Sequence, residues 1–266
     1  MGSNPTPSAG SRDDGFVRTV GIDMAAEPRK TASAVVEWRP SDVVVTHLTL
    51  NCSDADIIGL VGTADKAGID CPLGWPEPFV DFVLAHREGR PLAPTDLAAR
   101  RHLVYRATDL ALIAQSGARP LSVAADLIGH TAMRVAGILS ALAAGGCAID
   151  RAGSGIVVEA YPAAALRAWG IYRPRYKGPS GITTREAILS DLRAALPQLR
   201  IDADQLALCH GSDDALDAIV CAMIARAAAI GRVTTPDAEQ ARVAKTEGWI
   251  VVPNGPLGEL AIGTRS

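Results

Sequence analysis

The sequence predicts an α/β fold on one mixed five-stranded sheet, with three antiparallel strands, two parallel ones and a helical insertion. Three observations predict it. Residues 16–50 hold three β-rich runs joined by short connections, which suits an antiparallel meander. Residues 53–70 read as a helix and then a short buried strand, the order of a parallel crossover back beside the first strand. A further β-rich run lies at 155–162, after a mostly helical stretch at 75–150.

The elements follow in chain order. FVRTVGID is the first strand and ends at Asp23. Residues 31–38 and 42–50 are the next two, separated by the turn Arg39, Pro40, Ser41. Ser53 is the expected N-cap of a helix over 53–64. KAGID closes the fourth strand at Asp70, and Pro72 and Gly74 punctuate its exit. Helices are expected over 78–88, 95–106 and 122–144, with stops at Gly89, Gly117 and the pair Gly145, Gly146. GIVVEAYP is the fifth strand, followed by a helix over 163–169. IYRPRYKGPSG is a basic loop before an amphipathic helix at 183–196. Residues 212–231 form a long apolar helix with an acidic first turn, and 247–253 are expected as a final edge strand. Residues 1–15 read as a disordered tail without the apolar segment of a signal peptide, 16–253 as one domain, and 254–266 as a C-terminal tail.

Composition sets the bounds. Of 266 residues 48% are hydrophobic and only 4% aromatic, so the core is aliphatic. A formal charge of −3 gives no global basic character, which leaves any nucleic-acid contact to a local groove. The five cysteines are scattered, without a C-x-x-C pair, as free thiols of a reducing cytoplasm would be. No apolar run reaches membrane-spanning length, since Asp126, His130 and Arg134 interrupt the nearest. The expected setting is therefore cytoplasmic, with no membrane partner and a homodimer left open.

The acids carry the chemistry. Asp23 and Asp70 each end a strand on the pattern Gly-Ile-Asp, and Glu159 lies near the end of the fifth strand. If these strands are parallel neighbours, their carboxyl ends share one edge, where open α/β sheets bind ligands. Asp214 and Asp217, at i,i+3 on one helix face, add two more carboxylates, and Asp213 pairs with Asp217 at i,i+4. Carboxylates gathered so closely take up protons or are neutralised by a cation. Oxygen ligands without paired Cys or His favour Mg²⁺ or Mn²⁺ over zinc. Asp23, Asp70 and Asp217 are the candidate metal ligands. Two such ions about 4 Å apart activate a water and stabilise the leaving oxygen in phosphodiester hydrolysis.

Each acid also has a plainer reading. Asp213 and Asp214 suit the positive end of their helix, with Ser212 as its cap. Asp23 and Asp70 suit strand-end turns, and Glu159 suits an ion pair with Arg106 or Arg167. Arg101 and Arg106 could clamp a phosphate or pair internally with Asp109 or Glu159. Arg173, Arg175 and Lys177, beside Tyr172 and Tyr176, suit a nucleic-acid backbone with base stacking, or simply a solvated loop. His210 and His102 are loop histidines first and proton shuttles second, and Trp75 and Trp249 are packing residues first.

With these residues in view, the chain resembles the domain-of-unknown-function family numbered 429, regarded as predicted nucleases of RNase H-like fold. The resemblance rests on VGIDMA at 20–25, GIDCPLGWP at 68–76, YRATD at 105–109, EAYPAAALR at 159–167, SDDALDA at 212–218 and EGWIVVP at 247–253. Their order and spacing, over 17–253, carry more than any one of them. It implies an RNase H-like sheet and a divalent-metal-dependent nuclease acting on DNA or RNA. Holliday-junction resolvases of that superfamily place an Asp on the first strand, an acid on the fourth and a D-x-x-D pair opening the last helix. Asp23, Asp70 and the pair Asp214, Asp217 fill those places. Two other readings stand beside it. An actin-like phosphotransferase shares the sheet core, but the segment after Asp23, MAAEPRKTAS, lacks the glycines of a phosphate-cradling turn. A non-catalytic nucleic-acid-binding protein would keep the fold with incomplete metal geometry.

Overall fold

The structure, a computed structural model, describes residues 16–93, 96–116, 118 and 120–261. The 1–15 tail, the start of the helix expected at 95 and the stop at Gly117 lie outside these residues.

β1 (Val17–Asp23), β2 (Ala32–Trp38) and β3 (Val43–Leu50) form the antiparallel meander. α1 (Asp54–Val61) begins at Ser53, whose hydroxyl accepts from the Asp56 N–H while the Asp56 carboxylate accepts from the Ser53 N–H. It returns the chain to β4 (Lys66–Asp70), parallel to β1 with Gly21 opposite Gly68, Ile22 opposite Ile69 and Asp23 opposite Asp70. α2 (Glu77–Arg87), α3 (Arg101–Val104), α4 (Ala107–Ser116) and α5 (Ile128–Ala144) make up the insertion. β5 (Val157–Glu159) then lies parallel to β4. α6 (Pro162–Ala168) and α7 (Ile182–Ala195) precede β6 (Leu199–Arg200), a two-residue strand parallel to β3. α8 (Ala203–Gly211), α9 (Asp213–Ala229) and α10 (Ala238–Glu247) complete the helices. The order across the sheet is β5-β4-β1-β2-β3-β6.

Helices cover both faces. On one, Val20, Ile22 and Ile69 pack with Ile57 and Val61 of α1 and with Val135, Ile138 and Leu142 of α5. On the other, Ala34, Val36 and Trp38 meet α9, whose residues from Ala215 to Ala227 are all buried. A helix apolar all round belongs in an interior. Here α6, α7 and α8 contribute Leu166, Ile188, Leu192 and Cys209 to the same cluster as α9.

Four expectations are corrected. The sheet has six strands, because the short β6 was not foreseen. Residues 247–253 are no strand, as Ile250 makes one bridge to Glu159 and Pro253 one to Val233. The helix expected at 95–106 is instead the single turn α3 followed by α4. Tyr105 between them is extended, which turns Arg106 into the interior. The C-terminal tail is in part structured, since Leu257–Ala261 form a 3₁₀ turn that buries Leu257 and Leu260.

Candidate metal centre

The site begins with two glycines. Side chains alternate across a strand, so Gly21 and Asp23 share one face of β1, and Gly68 and Asp70 share that face of β4. A Cβ on Gly21 would lie 2.0 Å from the Ala218 carbonyl oxygen, and one on Gly68 2.4 Å from that of Cys221. The repeated Gly therefore lets α9 lie directly on the two central strands. Two residues on, each strand ends in an aspartate facing the first turns of α9.

Asp23, Asp70 and Asp217 converge there. Each offers one oxygen, and the three oxygens lie within 4.8 Å of one another. Asp23 and Asp217 are buried and Asp70 partly so. Asp214, partly buried one turn before Asp217, hydrogen-bonds Asp23. The group lines a cavity of about 620 Å³ whose other walls include Tyr161, Tyr172, Arg175 and Lys177.

Burial and mutual repulsion govern the charges. Burial, then Asp217 and Asp70, raises the Asp23 carboxyl well above the usual range. Asp70 is pushed up to about 7, by burial first, with Lys177 opposing. Burial also raises Asp217, against the pull of Lys177. The Lys177 Nζ stands 2.7 Å from Asp217 Oδ2, with its side chain 54% exposed. Burial acts to lower the Lys177 ammonium, but Asp217, Asp70 and Asp23 together hold it above its ordinary value. The Tyr176 hydroxyl donates to both oxygens of Asp217, at 3.0 and 3.2 Å.

A buried arginine fixes the loop that carries these two residues. Arg185 Nη1 donates to the carbonyls of Tyr176 and Gly178, at 2.7 and 2.8 Å, and its Nε and Nη2 donate to His210 O at the end of α8. The Gly178 N–H donates to Asp213 Oδ1 at 2.9 Å, tying the loop to the start of α9.

Other candidates stand elsewhere. Glu159 is not a free ligand. Arg106 Nη2 donates to its Oε1 at 2.6 Å, and Arg106 Nη1 and the Leu73 N–H donate to its Oε2 at 2.8 and 3.1 Å. Arg106 is no phosphate clamp, because its guanidinium is fully buried and also holds both oxygens of Asp109. Glu247 completes the network, with its carbonyl accepting from Arg106 and its carboxylate from the N–H groups of Glu77 and Ala107. Arg101 is exposed beside the Tyr105 ring, outside the cavity lining. Arg173 pairs with Asp191. The Arg167 guanidinium lies 3.7 Å from the Tyr172 ring centre. His102 is exposed, and His210 lines a separate hollow beside Glu186 and Arg193. Trp249 is buried and Trp75 packs against the α1/α5 core. Arg175 and Lys177 do line the cavity.

Sequence reasoning missed Arg185, which nothing in TTREAIL distinguishes from a surface arginine. It missed Asp213 as a loop anchor and Tyr176 as a partner of Asp217. The packing role of Gly21 and Gly68 was signalled by the repeated Gly-Ile-Asp.

Fold and site together define an α/β protein with a buried carboxylate cluster where its central parallel strands end. The chain belongs to the family described as "Protein of unknown function (DUF429)", whose model matches residues 21–241. No curated protein and no solved structure matches it.

Proposed function

We propose that this chain is a divalent-metal-dependent nuclease of RNase H-like architecture, hydrolysing phosphodiester bonds of DNA or RNA. One observation carries the reading: three aspartates from β1, β4 and α9 offer oxygens within 4.8 Å of one another at the end of parallel strands. The strand order, with β1 between antiparallel β2 and parallel β4, supports it.

The donor set fits a hard cation. All three donors are carboxylate oxygens, and no His or Cys joins them in the cluster. Asp23, Asp70 and Asp217 would hold Mg²⁺ or Mn²⁺, with Asp214 beside them. The ion would supply a polarised water and charge neutralisation at a phosphate. This chain's own part is to fix the carboxylates, limit water and hold cationic Arg175 and Lys177 at the cavity wall.

A second reading is favoured by the Lys177–Asp217 pair. Shared protons and one lysine could satisfy the cluster without a metal, as in a non-catalytic nucleic-acid-binding protein. One experiment separates the two. Purified protein is incubated with single- and double-stranded DNA and RNA in Mn²⁺, Mg²⁺ or EDTA. The expected outcome is metal-dependent cleavage, lowered about a thousandfold in Asp23→Asn (~4 kcal/mol of transition-state stabilisation) with the fold retained by circular dichroism. Absence of cleavage, together with a melting temperature indifferent to Mn²⁺, would establish the second reading.

A further inference from the structure

Lys177 is an exposed-loop lysine by sequence, yet its ammonium contacts the most deeply buried of the clustered acids. Three features show that its place is built. The carbonyls on either side of it, of Tyr176 and Gly178, are both held by the buried Arg185. The Gly178 N–H is held by Asp213, at the start of the helix that carries Asp217. The Tyr176 hydroxyl donates to the same carboxylate that Lys177 pairs with. Asp217 thus accepts from Tyr176 on both oxygens and from Lys177 on Oδ2. A cation bridging through Oδ2 would have to displace the lysine.

Charge points the same way. Asp23, Asp70, Asp214 and Asp217 carry four negative charges when ionised, and Lys177 carries one positive charge. One divalent ion beside Lys177 leaves a single negative charge. Two divalent ions beside it would leave a net positive charge in a partly buried site, where uncompensated charge is costly.

Resting on the metal-centre reading, we propose that Lys177 is a tethered cation standing in for a second metal ion, so that the site takes one divalent ion per chain. Lys177 thereby positions Asp217 and supplies positive charge to the phosphate side of the cavity. With a fixed cation in place, activity depends on metal concentration to the first power.

The test counts metal, independently of cleavage. Mn²⁺ is titrated into the full chain and followed by electron paramagnetic resonance and calorimetry, counting ions bound tighter than roughly 1 mM. The wild type is expected to bind one ion and Lys177→Met two. Lys177→Arg, which keeps the charge, should still bind one. Two ions in the wild type, or one in a folded Lys177→Met, would overturn the lysine's role while leaving the metal centre standing. If Lys177→Met does not fold, Lys177→Gln takes its place, with the same count expected. No ion in any variant would overturn the metal centre and this inference together.

Discussion

Asp70 is the residue at which the candidate site meets pH. Its carboxyl, ordinarily near 3.8, titrates at about 7 because it is buried among other acids. The unfolded chain gives up this proton near its ordinary value and the folded chain holds it longer. The metal-free fold is therefore favoured in acid and loses stability as pH rises from about 4 through 7. Asp23, raised in the same direction, adds to the effect. In EDTA, the melting temperature of the wild type is expected to fall across this window relative to that of Asp70→Asn. Parallel melting curves for the two proteins would remove the argument for a strained apo cluster. At the same scale, the terminal Asp of each Gly-Ile-Asp was legible because aspartate is disfavoured in strands. Glu159 was named as a site acid and belongs instead to the Arg106 pair. A carboxylate near a strand end looks alike in both roles until its partner is seen.

Among the elements, α9 decides the site. Its acidic first turn and apolar body were plain in the sequence, but its seat on β1 and β4 depends on two absent side chains. Gly21→Ala would drive a Cβ to 2.0 Å from the Ala218 carbonyl, and backbone on both sides makes relief difficult. We expect a loss of about 2–3 kcal/mol, typical of overpacked interiors, measured by urea denaturation. Mn²⁺ affinity should weaken as Asp217 is pushed away from Asp23. An unchanged stability would mean that α9 is free to shift. Elements at the margins were least legible. β6 is two residues long, too short to show any alternation, and α3 is a single turn. The 247–253 run has the composition of a strand, yet it lies in the interior making isolated bridges.

Across the whole molecule, one buried charge network joins segments that are remote in the chain. Arg106 at the head of α4 grips Glu159 of β5, Asp109 and the backbone at the end of α10. Gly248, with φ of +88°, passes so close that a Cβ there would lie 2.7 Å from Glu159 Oε2. Three of the resemblance motifs, YRATD, EAYP and EGW, therefore meet in a structural joint and not at the acid cluster. Arg106→Met leaves two acids buried without their counter-ion and should cost about 3–5 kcal/mol. Denaturation of Arg106→Met alone and combined with Glu159→Gln would check this, the second change restoring part of the loss.

The sequence by itself determined the strand–helix order, the aliphatic interior and the aspartates that end β1 and β4, because these follow from local pattern and residue chemistry. Only the tertiary structure decided which charges are partners. Arg106 was taken from the site into the interior, Lys177 was brought from a loop onto Asp217, and Arg185 was turned inward to hold that loop. Pairing depends on distances set by packing between segments far apart in the chain, and no spacing within a single segment encodes them.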